Sequence, residues 1–72
     1  MFKRGFRDIV KTKNGYVLID SRNTFDMGYE TMVFKCDEQG GVDEWLDIDL
    51  KRYPTYWEMV QGHTQMIKKW IA

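Results

Sequence analysis

His63, Cys36 and a run of carboxylates carry what reactive chemistry this chain of 72 residues has; it contains one histidine and one cysteine. His63 falls in the middle of an apolar helical stripe, where a general base or a metal ligand can be held. Cys36 would be its nucleophile if strand and helix brought the two together. No residue that would orient the imidazole, and no oxyanion site, can be read near either. The sequence therefore predicts a structural imidazole, satisfied by a backbone or tyrosine partner, and a small core cysteine. The segment Asp37-Glu38-Gln39-Gly40-Gly41-Val42-Asp43-Glu44 lacks the D-x-[DN]-x-[DN]-G spacing and closing glutamate of a calcium loop and reads as a solvated turn. Gly40-Gly41 has acidic neighbours and no strand-loop-helix context, so it makes no phosphate cradle. Asp47 and Asp49 share a strand face as a hydrolase dyad would, without an apolar pocket to raise one pKa. The expectation is a chain with no catalytic residue, no metal site and no cofactor.

The element that must position His63 is the clearest in the sequence. Thr55-Tyr56-Trp57-Glu58 is a capping box, in which the threonine hydroxyl and the glutamate serve orphan backbone N–H groups. Pro54 holds Tyr53 extended and separates this start from the strand before it. From Thr55 to about Ile71, Tyr56, Met59, Val60, His63, Met66, Ile67, Trp70 and Ile71 fall on one side at about 100° per residue. Lys68 and Lys69 suit the carboxyl end of the dipole. Gly62 lies off the stripe and costs about 1 kcal/mol against alanine, with no packing reason in view.

Upstream, residues 6 to 21 read as a hairpin about Asn14-Gly15, a type I′ signal. With Lys13 opposite Tyr16 and Val10 opposite Ile19, one face gathers Val10, Val17 and Ile19. The other gathers Ile9, Tyr16 and Leu18 with Arg7, Lys11 and Asp20. Tyr29 to Cys36 is a third strand with apolar residues on both faces, suited to a central place. Trp45 to Tyr53 is the fourth, near an edge, with Leu46, Ile48 and Leu50 expected inward against the helix and Asp47 and Asp49 outward. The predicted fold is α+β: an antiparallel meander of three to four strands with one C-terminal amphipathic helix on one face, as a single domain over residues 1 to 72.

Net charge is zero, which argues against a general polyanion binder. No apolar run approaches the length of a bilayer span and the amino terminus lacks a secretory signal, so a cytoplasmic protein without membrane contact is expected. The charges are nevertheless segregated. Lys3, Arg4, Arg7, Lys11 and Lys13 form a basic first segment, and Asp37, Glu38, Asp43, Glu44, Asp47 and Asp49 an acidic later one. If the two are neighbours in the sheet, they neutralise each other. Three tryptophans, four tyrosines and four phenylalanines are many rings for one small core, and some are expected on a surface that a partner or a second protomer covers.

Through Tyr29-Glu30-Thr31-Met32-Val33-Phe34-Lys35-Cys36-Asp37, Arg52-Tyr53-Pro54-Thr55 and Gly62-His63, the chain resembles small proteins of bacteriophages and of prophage regions of Gram-positive bacteria. The resemblance covers roughly residues 29 to 70, omits the first hairpin, and brings no known activity with it. It implies a phage origin and a host-cell cytoplasmic setting. The function expected is a non-enzymatic protein-binding module, an inhibitor of a host defence or nucleic-acid-handling protein, with Glu44, Trp45, Asp47 and Asp49 at the contact. The alternatives are a small DNA-binding domain using Lys3, Arg4, Arg7, Lys11 and Lys13, and a homo-oligomer, a dimer in the simplest case.

Overall fold

The computed structural model describes residues 5–72. Four antiparallel strands, β1 (Gly5–Thr12), β2 (Gly15–Asn23), β3 (Tyr29–Cys36) and β4 (Asp47–Tyr53), form one sheet in meander order, and α1 (Tyr56–Trp70) packs across it. The α+β class and its single helix stand as expected from the sequence. β1 and β4 are the two edges, so the basic and acidic segments are not sheet neighbours.

The first turn closes one residue earlier than the Asn14-Gly15 signal predicts. Thr12 pairs with Gly15 and Val10 with Val17. The Thr12 hydroxyl takes the Asn14 N–H at 3.1 Å and donates to the Gly15 carbonyl at 3.0 Å, which fixes Lys13 and Asn14 as the reversal. Against the expected pairing the register moves by an even step, so no side chain changes face. Val10, Val17, Ile19, Val33 and Met66 are the buried core, with Ile67 and Trp70 packed against it.

β4 turns the other way. Asp49, opposite Val33, faces the helix and accepts from Lys69 Nζ at 2.7 Å and Trp70 Nε1 at 3.0 Å. Leu46, Ile48 and Leu50, expected as half of the core, are exposed instead, because pairing Leu50 with Met32 commits the row to the face away from α1. A bulge where Phe34 pairs with Asp47 then breaks the alternation that had placed Asp47 and Asp49 side by side.

Thr55 caps α1 as predicted, its hydroxyl accepting the Glu58 N–H at 3.2 Å. Gly62, which the stripe left without a reason, is buried with the Tyr53 ring laid against it: a Cβ there would stand well inside 3.0 Å of the tyrosine hydroxyl, Cε1 and Cζ. Glycine is required because the end of β4 meets the helix backbone at this point.

Candidate functional site

Two places bring polar or apolar groups together in ways that ordinary packing does not demand. The first lies between α1 and the sheet. Ser21 and Thr31 are neighbours across β2 and β3 on the core face, both fully buried, with hydroxyls 2.5 Å apart. His63 descends from α1 onto them, Nδ1 lying 2.6 Å from Ser21 Oγ, and its Nε2 lies 2.7 Å from Asp8 Oδ2 on β1. A carboxylate only accepts, so Nε2 carries a proton toward Asp8. The Ser21 hydroxyl can then donate to Nδ1 and the Thr31 hydroxyl to Ser21, which satisfies every side-chain group in the chain of bonds. Phe6 tilts against the imidazole, ring centroids 5.6 Å apart.

Aspartate, histidine and serine in hydrogen-bonded sequence are also the parts of a hydrolase triad. Their burial is inverted. A nucleophilic serine must meet substrate while the acid is held inside, whereas here Ser21 has 0% of its surface exposed and the Asp8 side chain 53%. The arrangement ties the helix to the sheet through three strands. Cys36 does not join it: Phe34, on its own face, packs on Trp45 away from α1, so the pairing of Cys36 with His63 is excluded. Burial, aided by the charge of Asp37, holds the Cys36 thiol above its ordinary value, which keeps it protonated and a poor nucleophile. It is half-buried at the edge of a cleft and not a core residue.

The second place is the sheet face away from α1. Toward one end it is ionic: buried Asp20 receives Arg22 and, at 3.5 Å, Arg7, and Glu30 receives Arg52 at 3.1 Å. Toward the other it is apolar and is crossed by the connection between β3 and β4. Asp37 closes the start of that connection, its carboxylate taking the N–H groups of Gln39 and Gly41 at 2.9 and 2.8 Å. The chain then passes so close to β1 that a Cβ on Gly40 would stand 2.8 Å from Ile9 Cδ1. It returns to lay Trp45 edge-on against Phe34, centroids 4.9 Å apart, and leaves Leu18 and Phe34 buried. Trp45, Leu46, Ile48 and Leu50 stay 56%, 68%, 44% and 40% exposed. An open cleft of about 490 Å³ beside them is lined by Cys36, Asp43, Glu44, Leu46 and Ile48 among others.

Of the contact residues expected from the sequence, Glu44, Trp45 and Asp47 are exposed on this side. Asp49 is not with them. Its carboxyl is held below its ordinary value: burial pushes it up, and the hydrogen bonds from Lys69 and Trp70 outweigh burial. Its role is to anchor the end of α1. In the alternative basic set, Arg7 shares Asp20 with Arg22, Lys11 and Lys13 are exposed on β1 and its turn, and Lys3 and Arg4 lie outside the described residues. Among the described residues no three His, Cys, Asp or Glu gather to hold a metal ion, and no helix is long and apolar enough to cross a membrane.

Sequence reasoning missed Asp8, Ser21 and Thr31. The available signal was parity, since Asp8, Ser21 and Thr31 fall on the strand face that carries Val10, Ile19 and Val33. A polar group in each of three core rows calls for a partner, and His63 stands at the middle of the helix stripe that covers them. No family model, curated protein or solved structure matches the chain.

Proposed function

We propose that the protein is a non-enzymatic protein-binding module whose contact surface is the start of β4 and the connection before it. The observation that carries this reading is the exposed apolar group Trp45, Leu46, Ile48 and Leu50, on a chain small enough that burying them internally would have been worth several kcal/mol, at about 25 cal/mol per Å² of apolar surface. Asp43, Glu44 and Asp47, all exposed, rim the group. Apolar centre, aromatic anchor and charged rim are the composition of a recognition surface, and the acids select a partner with a basic border. In keeping with the phage resemblance, the partner is a protein of the bacterial host, one of its defence or nucleic-acid-handling proteins, met in the host cytoplasm.

A nuclease-treated capture from bacterial lysate tests this with the tagged chain as bait beside two variants, Leu46→Asp and Glu44→Lys/Asp47→Lys. One host protein retained by the wild type, reduced at least tenfold by either variant, supports the surface. Retention unchanged in both would refute it. Reversal of Asp49 is unsuitable, since it would unfasten α1 from β4.

A further inference from the structure

The free edge of the sheet is complementary to itself. Every residue of β4 but Asp49 and Tyr53 is exposed, and the Leu50 N–H turns to a side chain of its own strand, Asp49 Oδ1, at 2.9 Å. An N–H so placed is directed away from β3, and in an antiparallel strand the carbonyl of the same residue points the same way. Exposed strand edges pair with other strands unless something blunts them. At the opposite edge, the Lys11 carbonyl is occupied by the Ala72 N–H at 3.0 Å.

The sequence of β4 says which strand fits. Asp47-Ile48-Asp49-Leu50-Lys51-Arg52-Tyr53 is acidic before Leu50 and basic after it. We infer that the chain forms a twofold homodimer in which β4 pairs antiparallel with β4 of a second copy, centred on Leu50. Leu50 then exchanges both backbone bonds with its counterpart. Lys51 lies opposite Asp49 of the second copy on the helix side, and the same pair recurs across the axis. The exchange leaves nothing unsatisfied: as the Leu50 N–H moves to a carbonyl of the second copy, Asp49 Oδ1 is released to accept from Lys51 of that copy. Oδ2 stays with Lys69 and Trp70. On the other face the Leu50 side chains meet at the axis and shield each other. Lys51, which blunts the edge toward any apolar strand, is thereby a positive element toward this one. Ile48 and Leu50 belong to both surfaces, whereas Trp45 and Leu46 precede the paired strand; the dimer follows from the edge and charge order of β4 alone and does not rest on the host-protein reading.

Sedimentation equilibrium of the full chain from about 1 μM to about 1 mM tests the pairing. The expected result is a rise with concentration from 8.7 kDa toward twice that mass. Lys51→Glu places like charges opposite each other at two symmetric positions and weakens association at least about tenfold. Leu50→Pro removes the central donor, which the monomer does not share with β3, and abolishes association. Both variants should keep the helical circular dichroism of the wild type, and the exposed Lys51 side chain makes the first the safer in folding. A wild type that stays at 8.7 kDa throughout would overturn the inference. So would a dimer that Lys51→Glu leaves unchanged, whose interface would lie elsewhere. Leu46→Asp, which tests host-protein capture, should leave the dimer intact.

Discussion

Gly62→Ala sets two effects against each other with opposite signs. In an exposed helix the change stabilises by about 1 kcal/mol, since alanine restricts the unfolded chain. Here the added methyl would sit well inside 3.0 Å of three Tyr53 atoms, where ordinary contact begins near 3.4 Å. Tyr53 is buried and ends a strand paired to β3, so its ring cannot swing aside as a flexible chain end would. Overpacking of this kind costs roughly 1–3 kcal/mol, and the ring's confinement places it at the upper end. The net expectation is a loss of about 2 kcal/mol, or roughly 8–16 °C in the thermal midpoint of a domain this size. Thermal melts with urea titrations measure it. The control is the same change in a Tyr53→Leu background: with the ring gone, Gly62→Ala should stabilise by about 1 kcal/mol, a coupling of about 3 kcal/mol between the two positions. Gly62→Ala that stabilises the wild type would refute the close approach of β4 to α1. A loss that persists unchanged in the Tyr53→Leu background would assign the cost to the helix backbone and refute it equally.

Ser21→Ala removes the hydroxyl shared by His63 and Thr31 and should cost about 2 kcal/mol in urea unfolding with the m-value unchanged, because two buried polar atoms lose a partner. A loss near zero would mean that His63 is satisfied by Asp8 alone. Asp49 predicts a pH dependence: its folded pKa lies below the ordinary 3.8, so its contribution is complete above that value and is lost as pH falls through the folded pKa. The stability difference between wild type and Asp49→Asn, followed by urea midpoints from about pH 7 to about pH 2.5, should therefore shrink only below about pH 4. A difference that is constant over the whole range would show that the carboxylate charge is not what holds Lys69 and Trp70.

Much of this fold is legible because each element announces itself locally. The Thr55 box and Pro54 fix the start of α1, and β-branched and aromatic residues with strand parity assign both faces of the first three strands. β4 was misread for a physical reason. Its alternation separates an apolar face from a charged one, but which face meets the helix is decided by register with β3, and both faces of β3 are apolar. Tyr29, Thr31 and Val33 took the helix, so Leu50, paired with Met32, had to turn outward. Asp49 went inward at small cost because Lys69 and Trp70 were there to meet it. Parity puts Asp8, Ser21 and Thr31 in core rows, but their meeting at His63 is not legible, because Ser21 and Asp8 lie 42 and 55 residues from it along the chain.

The two polar fastenings of α1, His63 to Asp8 on one edge strand and Trp70 to Asp49 on the other, also bear on how the chain assembles. A meander pairs only consecutive strands, so its contacts close short loops and can form early, in any order. The helix gains both of these edge partners only when β1 and β4 have each reached their places at opposite edges, whereas its contacts with β2 and β3 need neither. Docking of α1 thus acts as a completion check on the sheet: an unpaired edge strand leaves one end of the helix unfastened, and the bonds that span most of the chain, Asp8 to His63 and Lys11 to Ala72, close only when β1 and the C-terminal segment are both in place.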